Sequence, residues 1–187
     1  MKTPILAAAA TLALLAIPAS AQTPIPVRAF DAVELRGGGE LFVRRGPQHR
    51  VTLVRGDPNQ AAFHVREDGT LVVRPCRTSC RNQNLRVEIV TPELDAASIH
   101  GGGSIQVAGG FPAEASVALA IAGGGVIDAR ALPARSVAAS VTGGGLIRAA
   151  PRSSLAAAIT GGGTIRYTGD PAKTVHITGG GTVTRDR

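Results

Sequence analysis

The chain has 187 residues, a formal net charge of +7 and a hydrophobic content of 44%, but only 3% of its residues are aromatic. This length suits a single domain. The arginines are scattered without a basic block, and the aromatic side chains on which single-stranded nucleic acids stack are too few, so we expect no nucleic-acid partner.

The first 21 residues have the three-part layout of a secretory signal peptide. Lys2 precedes an apolar run from Ile5 to Ile17, and the small-residue ending Ala19-Ser20-Ala21 predicts cleavage before Gln22. The apolar run is shorter than the roughly 20 residues that a membrane span requires. We therefore expect an exported protein, located in the periplasm or outside the cell, whose single domain covers residues 22–187 without a transmembrane segment.

Residues 28–95 are predicted to form a less regular and more charged opening section of this domain. It contains Cys76 and Cys80 in the segment RPCRTSCRNQN. Two such close cysteines in an exported protein predict a local disulfide that closes a loop, since a metal site would need further ligands nearby. The phenylalanines are interpreted as core or capping residues: Phe30, Phe42, Phe63 and Phe111.

A triple glycine recurs six times, and from the second copy onward its spacing is 18 to 22 residues. A branched aliphatic residue stands two positions before and two positions after every triplet, which is the period-two pattern of a half-buried strand. The triplets are Gly37, Gly38, Gly39; Gly101, Gly102, Gly103; Gly123, Gly124, Gly125; Gly143, Gly144, Gly145; Gly161, Gly162, Gly163; and Gly179, Gly180, Gly181.

This repeat predicts an all-β, single-domain parallel β-helix, or β-solenoid, whose regular rungs cover residues 96–184. Like residues at like positions then stack from rung to rung, about 4.8 Å apart. The triplets would form an aligned glycine seam where the coil bends or narrows, with Gly161 and Gly163 directed inward. The alternative is an antiparallel β-sandwich or meander in which each triplet is a hairpin loop.

The order of segments resembles a known family. The resemblance rests on four segments: the Phe30-Asp31 strand, the strand from Arg50 to Val54 followed by Gly56-Asp57, DGTLVV from Asp68 to Val73, and VEIVTPEL from Val87 to Leu94 before a glycine-rich turn. Together they resemble the family called putative auto-transporter adhesin, head GIN domain, over nearly the whole mature chain. The resemblance implies a secreted or envelope-located β-helix. Since no long segment of alternating hydrophobicity is seen that could build an outer-membrane barrel, we do not expect self-transport through the outer membrane.

The sequence yields no catalytic, cofactor-binding or metal-binding constellation, and no cofactor is expected. Stacking places Asp128 one rung from Arg148, which predicts a surface ion pair. His100 and His176 fall four rungs apart, about 19 Å, and cannot share a metal ion. No pair of carboxylates is predicted to converge, as glycoside hydrolysis requires.

These observations favour a non-catalytic envelope β-solenoid that presents a rigid surface for contact with a protein or polymer, in an adhesin-like or scaffold role. The alternative is a carbohydrate-acting enzyme or a carbohydrate-binding module on a β-helix. The stack must also end in unpaired strand edges, through which another copy of the chain could associate.

Overall fold

The computed structural model describes residues 22–76 and 84–186, and in these residues the chain is all β. The signal peptide and Cys80 lie outside the described residues, so export and the disulfide stay predictions. The strands are β1 (Thr23–Ile25), β2 (Ala32–Arg36), β3 (Glu40–Arg45), β4 (Arg50–Arg55), β5 (Ala62–Val65), β6 (Thr70–Arg74), β7 (Arg86–Thr91), β8 (Ala96–Gly101), β9 (Ser104–Val107), β10 (Glu114–Gly123), β11 (Val126–Gly143), β12 (Leu146–Gly161), β13 (Thr164–Tyr167), β14 (Ala172–Thr178) and β15 (Thr182–Arg185).

Parallel stacking confirms the β-solenoid and shows that the antiparallel alternative is wrong for the repeat. One wall of the solenoid is the parallel series β6, β2, β8, β10, β11, β12 and β14. The other wall is the parallel series β7, β3, β9, β11, β12, β13 and β15. The long strands β11 and β12 serve both walls, since each continues around the corner opposite the glycines.

The core consists of the predicted aliphatic columns. Ile99, Ile121, Val141 and Ile159 stack in register on one wall, each no more than 2% exposed. On the other wall the column of Ile105, Ile127, Ile147 and Ile165 is equally buried. Complete burial of each such side chain contributes about 1.5–3 kcal/mol, so these columns are the main source of stability of the repeat.

The glycine triplets form the corners where the chain passes from one wall to the other. Gly101, Gly123, Gly143 and Gly161 are register partners in successive rungs. The corners are also hydrogen-bonded along the stack, because the amide of the middle glycine Gly144 donates to the carbonyl of Gly123 at 3.0 Å. The corners are therefore a continuous part of the backbone ladder and not separate hairpin tips.

The last triplet but one shows how the glycines are oriented. Gly163 is buried, and a Cβ added there would run into Val141 of the preceding rung. Gly161 is only half-buried, and its added Cβ would lie 2.9 Å from the carbonyl oxygen of Gly143. Gly163 thus lies over the core, whereas Gly161 faces along the stack toward the previous corner.

Residues before Ala96 stack in an order that differs from the order of the chain. The rung of β2 and β3 lies between the rung of β6 and β7 and that of β8 and β9. Beyond β6 and β7, antiparallel pairs extend both walls, with β5 beside β6, β4 beside β7 and β1 beside β4. These antiparallel strands cover that end of the core.

Candidate binding faces

One outer surface of the solenoid is rich in arginine. We call it the arginine face; it consists of the outward side chains of β3, β7, β9, β13, β15 and the first parts of β11 and β12. Its central column, in stacking order, is Glu88, Phe42, Gln106, Asp128, Arg148 and Arg166. Strand alternation places every second residue here, so the inward aliphatic columns fix the position of each of these side chains.

Asp128 is the centre of an ion-pair group on this face. Its carboxylate accepts hydrogen bonds from the Arg130 guanidinium at 2.6 and 2.9 Å, and Arg148 approaches to 3.5 Å, which confirms the predicted pair. Burial opposes the ionised carboxylate, but the hydrogen bonds and charge of Arg130, together with the charge of Arg148, lower the pKa of Asp128. Asp128 therefore stays ionised and holds two guanidinium groups in fixed positions.

A recess of about 260 Å³ lies on the same face where β7, β3 and β9 run side by side. The Arg86 guanidinium lies 4.3 Å from the centre of the Phe42 ring, and Arg86 also approaches Glu40 to 3.8 Å. The interpretation of Phe42 as a core or capping residue is wrong, because its strand position turns the ring outward. The recess is lined by Phe42, Val43, Arg44, Arg86, Glu88, Gln106 and Ala108.

The opposite surface is formed by small side chains, and we call it the alanine face. It consists of the outward side chains of β2, β8, β10, β14 and the second parts of β11 and β12. A shallow trough of about 440 Å³ runs along it. Two outward columns line the trough: Ala96, Ala118, Ala138, Ala156 and Thr174; and Ser98, Ala120, Ser140, Ala158 and His176. The described strands β8, β10 and β14 carry no arginine, so the alanine face from β8 onward lacks the charges of the arginine face, and Arg36 of β2 lies at its end.

A buried carboxylate lies on the wall of the alanine face, next to Ser98. Glu34 is 3% exposed, and Arg36 and Arg66 each donate a short hydrogen bond to its carboxylate. His100 lies 3.8 Å from the same carboxylate. Burial raises the pKa of Glu34, but the two guanidinium groups outweigh it and lower that pKa. Glu34 is thus a fully partnered structural anion, which sequence reasoning did not single out.

Several acidic residues lie in one region of the fold, where the backbone amide of Asp95 donates to the Asp31 carbonyl at 2.7 Å. At the corner opposite the glycines, burial raises the pKa of Asp95, and the charges of Asp31 and Glu93 raise it further. Burial likewise raises the pKa of Glu114, helped by the charges of Asp95 and Glu93. The sequence pattern gave no sign of this group because Asp31, Glu93 and Asp95 lie in connections that do not repeat, and Glu114 begins β10.

The histidines are distributed as the register predicts. His176 and His100 lie on the alanine-face wall four rungs apart, and His49 packs against Phe30 with 5.0 Å between ring centres. Within the described ranges, no group of three or more His, Cys, Asp or Glu residues is placed to hold a metal ion. The same ranges contain no helix with the length and apolarity that a membrane crossing needs.

Comparison with known proteins identifies the relatives of this fold. A family model described as "Putative auto-transporter adhesin, head GIN domain" matches residues 29–117 and 113–171. No curated protein matches the chain.

Several solved structures are similar to this chain. A putative adhesin from Bacteroides fragilis NCTC 9343 is 18% identical with a TM-score of 0.56, over 88% of this chain and 96% of that one. A putative lipid binding protein from Parabacteroides distasonis ATCC 8503 is 17% identical with a TM-score of 0.39, over 89% and 96%. A putative adhesin from Parabacteroides merdae ATCC 43184 is 16% identical with a TM-score of 0.39, over the same shares. The first of these likenesses confirms the fold.

Proposed function

The chain belongs to the head GIN domain family of putative auto-transporter adhesins, and from that premise we propose that it is an exported, non-catalytic envelope protein with an adhesin-like role. Its rigid stack would present the arginine face to a protein or polymer of the cell envelope. The observation that carries this proposal is the fixed spacing of Arg148 and Arg166, which stand one rung apart, about 4.8 Å, on a hydrogen-bonded sheet.

Rigidity is what makes such a face useful for binding. The neighbouring guanidinium groups are already held by carboxylates, Arg148 by Asp128 at 3.5 Å and Arg166 by Asp186 at 3.7 Å. Exposed ion pairs of this kind contribute only about 0–1 kcal/mol to folding. They do reduce the number of side-chain conformations that a partner must immobilise, which lowers the entropic cost of binding.

The proposal is tested by sedimentation of the purified protein with isolated envelope material from its own host. We expect the double variant Arg148→Gln/Arg166→Gln to bind more weakly than the unmodified protein. The matched control is Arg135→Gln/Arg152→Gln, which removes the same charge from exposed positions at the opposite corner. Equal binding by the two double variants, or no binding by the unmodified protein, would refute the proposal. Export is tested by fractionating host cells that produce the protein with or without residues 1–21; only the form with these residues should leave the cytoplasm.

One observation favours the second candidate, a carbohydrate-acting enzyme. Asp95 and Glu114, with raised pKa values, lie near Glu93 and Asp31, and a carboxylic acid of raised pKa is the usual proton donor in glycoside hydrolysis. Incubation with envelope polysaccharides, followed by assay of released reducing ends, tests this candidate. The adhesin-like role predicts no release above the buffer control, whereas release abolished by Glu114→Gln would establish the enzyme.

A separate proposal concerns the strand edge at β14 and β15, where another copy of the chain could associate. In β14, Val175 and Ile177 are 44% and 39% exposed, although they continue buried aliphatic columns. Lys173 occupies the inward column that Leu155 fills one rung earlier, and its ammonium group donates to the Tyr167 hydroxyl at 3.0 Å. Inward-pointing charges are a known means of preventing edge pairing. We propose that Lys173 keeps this edge from recruiting another copy.

A further inference from the structure

The recess around Phe42 differs from the rest of the arginine face in having unpaired polar groups. Arg44 and Glu88 make no ion pair or side-chain hydrogen bond among the residues that the structure describes, and Gln106 is exposed beside them. By contrast, each arginine of the upper column is paired with a carboxylate. The recess therefore offers donors and acceptors that are available to a ligand.

Arg86 is positioned inside this recess by two contacts. Its guanidinium lies 4.3 Å from the centre of the Phe42 ring, and it lies 3.8 Å from a carboxylate oxygen of Glu40. A guanidinium that lies on an aromatic ring keeps its planar edge of N–H donors free for a carboxylate. Arg86 is therefore held in position, and Arg44 lines the same recess, so the two guanidinium groups can face one negative charge.

The same recess carries acceptors that a purely anionic partner would avoid. Glu88 is the register partner of Phe42 on one side, and Gln106 is the partner of Phe42 on the other side. A carboxylate here repels an anionic phospholipid surface or an acidic polypeptide, but it accepts hydrogen bonds from hydroxyl groups. A ligand that bears both a carboxylate and several hydroxyls matches all of these groups.

We propose that this recess binds an acidic sugar residue within a carboxylate-bearing polysaccharide; the inference rests on the proposed adhesin-like function and names its partner. Arg44 and Arg86 bind the sugar carboxylate, while Glu88 and Gln106 bind its hydroxyls. Ala108, which is exposed, supplies apolar surface for the ring carbons. The volume of about 260 Å³ accommodates one sugar ring and leaves the chain on either side exposed.

The rest of the polymer would follow the central column up the stack. From the recess it meets Gln106, then the Asp128 group, and then Arg148. Successive rungs are about 4.8 Å apart, close to the length that one sugar residue adds to an extended polysaccharide. Each further sugar can therefore face one rung, and the column presents both donors and acceptors, which suits a chain that carries both carboxylates and hydroxyls.

The test is direct titration of the purified protein with oligogalacturonate, monitored by calorimetry. We expect binding, and we expect Arg44→Gln to weaken it about tenfold, because a charge-assisted hydrogen bond is lost. Arg135→Gln is the matched control: it removes one exposed positive charge far from the recess and should change affinity less than about twofold. Neutral dextran, polyglutamate and phosphatidylglycerol vesicles serve as comparison probes.

Glu88→Gln separates sugar recognition from simple attraction of a polyanion. If Glu88 binds hydroxyls, its replacement weakens oligogalacturonate binding. If only charge matters, loss of a like charge strengthens that binding and overturns the proposal. Equal or tighter binding of polyglutamate or the vesicles, or no binding of oligogalacturonate, also overturns it.

The envelope-sedimentation assay distinguishes failure of the proposed sugar-binding recess from failure of the proposed adhesin-like function. Envelope binding that is unchanged in Arg44→Gln and Glu88→Gln but weakened in Arg148→Gln/Arg166→Gln would refute the recess alone. Envelope binding that is insensitive to all of these variants would refute the arginine face as the binding surface. If the variants have the same melting temperature as the unmodified protein, misfolding is excluded as the cause of any loss of binding.

Discussion

The glycine corners give a stability prediction that can be worked out position by position. Gly143 has φ of +114°, a region that side chains other than glycine rarely adopt, and an added Cβ would lie 2.7 Å from the carbonyl oxygen of Gly123. The backbone conformation costs about 1–3 kcal/mol for alanine. The contact cannot be relieved by a side-chain rotation, and crowding of this kind costs about another 1–3 kcal/mol. We expect Gly143→Ala to lower the free energy of unfolding by about 2–6 kcal/mol.

The neighbouring glycines provide matched controls. An added Cβ on Gly144 meets nothing within 4 Å, and Gly144 has no positive φ. Gly144→Ala should therefore be neutral or stabilise by about 0.4–1 kcal/mol, because alanine reduces the freedom of the unfolded chain. At Gly145 the added Cβ would lie 2.6 Å from Cγ2 of Ile121, so Gly145→Ala should cost about 1–3 kcal/mol.

Urea unfolding of the three variants measures these differences, provided the dependence on urea concentration is unchanged. The expected order of stability is Gly144→Ala, then Gly145→Ala, then Gly143→Ala. If Gly143→Ala were as stable as Gly144→Ala, the close stacking of successive corners would be disproved. If Gly144→Ala were strongly destabilising, the middle glycine would have a structural role that its open surroundings do not explain.

Three further predictions concern charge. Glu34→Gln should lower the free energy of unfolding by about 1–3 kcal/mol at pH 7, because it replaces the buried carboxylate that pairs with two half-exposed guanidinium groups. Because the pKa of Glu34 is lowered, its stabilising contribution is present above the ordinary pKa of glutamate and is lost as the pH falls through the lowered value. Glu114→Gln should raise the melting temperature at pH 7 but not at pH 3. The raised pKa of Glu114 means that its ionisation destabilises the folded state, and this destabilisation appears only as the pH rises through the raised pKa. Lys173→Leu should produce oligomers in size-exclusion chromatography with light scattering, because it extends the aliphatic column to an open edge, whereas Lys173→Arg should not.

Each of these predictions has an opposing result. A stability difference between Glu34→Gln and the unmodified protein that grows toward acid pH would contradict the assigned ion pairs. A stabilisation by Glu114→Gln that persists at pH 3 would have to come from packing and not from charge. Strict monomers of Lys173→Leu at high concentration would show that the lysine is not what limits edge pairing.

The regular stack could be predicted from the sequence because each rung repeats the same local pattern. Ile121 and Ile127 stand at equal distances on either side of a triplet, and the next triplet repeats this arrangement with Val141 and Ile147. Period-two alternation within a rung, combined with a fixed period between rungs, determines both the inward columns and the outward partners. The pair of Asp128 and Arg148 followed from that register alone.

The opening section could not be predicted in the same way. The rung of β2 and β3 is contacted on one side by β6 and β7, although β4 and β5 intervene in the chain, and on the other side by β8 and β9. No repeat relates these segments, so neither their stacking order nor the recess where β7 and β9 meet β3 follows from spacing. The corner carboxylates were missed for the same reason, since Asp31 lies in the connection before β2 and Glu114 begins β10, far away in sequence.

The uneven distribution of arginine is the feature that the fold does not require. Inward columns and glycine corners hold the rungs in place, and an outward position on either wall can carry a small, polar or charged side chain without disturbing them. In the rungs from β8 to β14, however, arginine occurs on the arginine face and at the corner opposite the glycines, but not on β8, β10 or β14. Packing does not select this asymmetry, and a contact of the arginine face with a partner outside the chain, as proposed above, would account for it. The double variants Arg148→Gln/Arg166→Gln and Arg135→Gln/Arg152→Gln distinguish a role in binding from a role in folding. Both should leave the free energy of unfolding within about 0.5 kcal/mol of the unmodified protein, and only the first should bind envelope material more weakly.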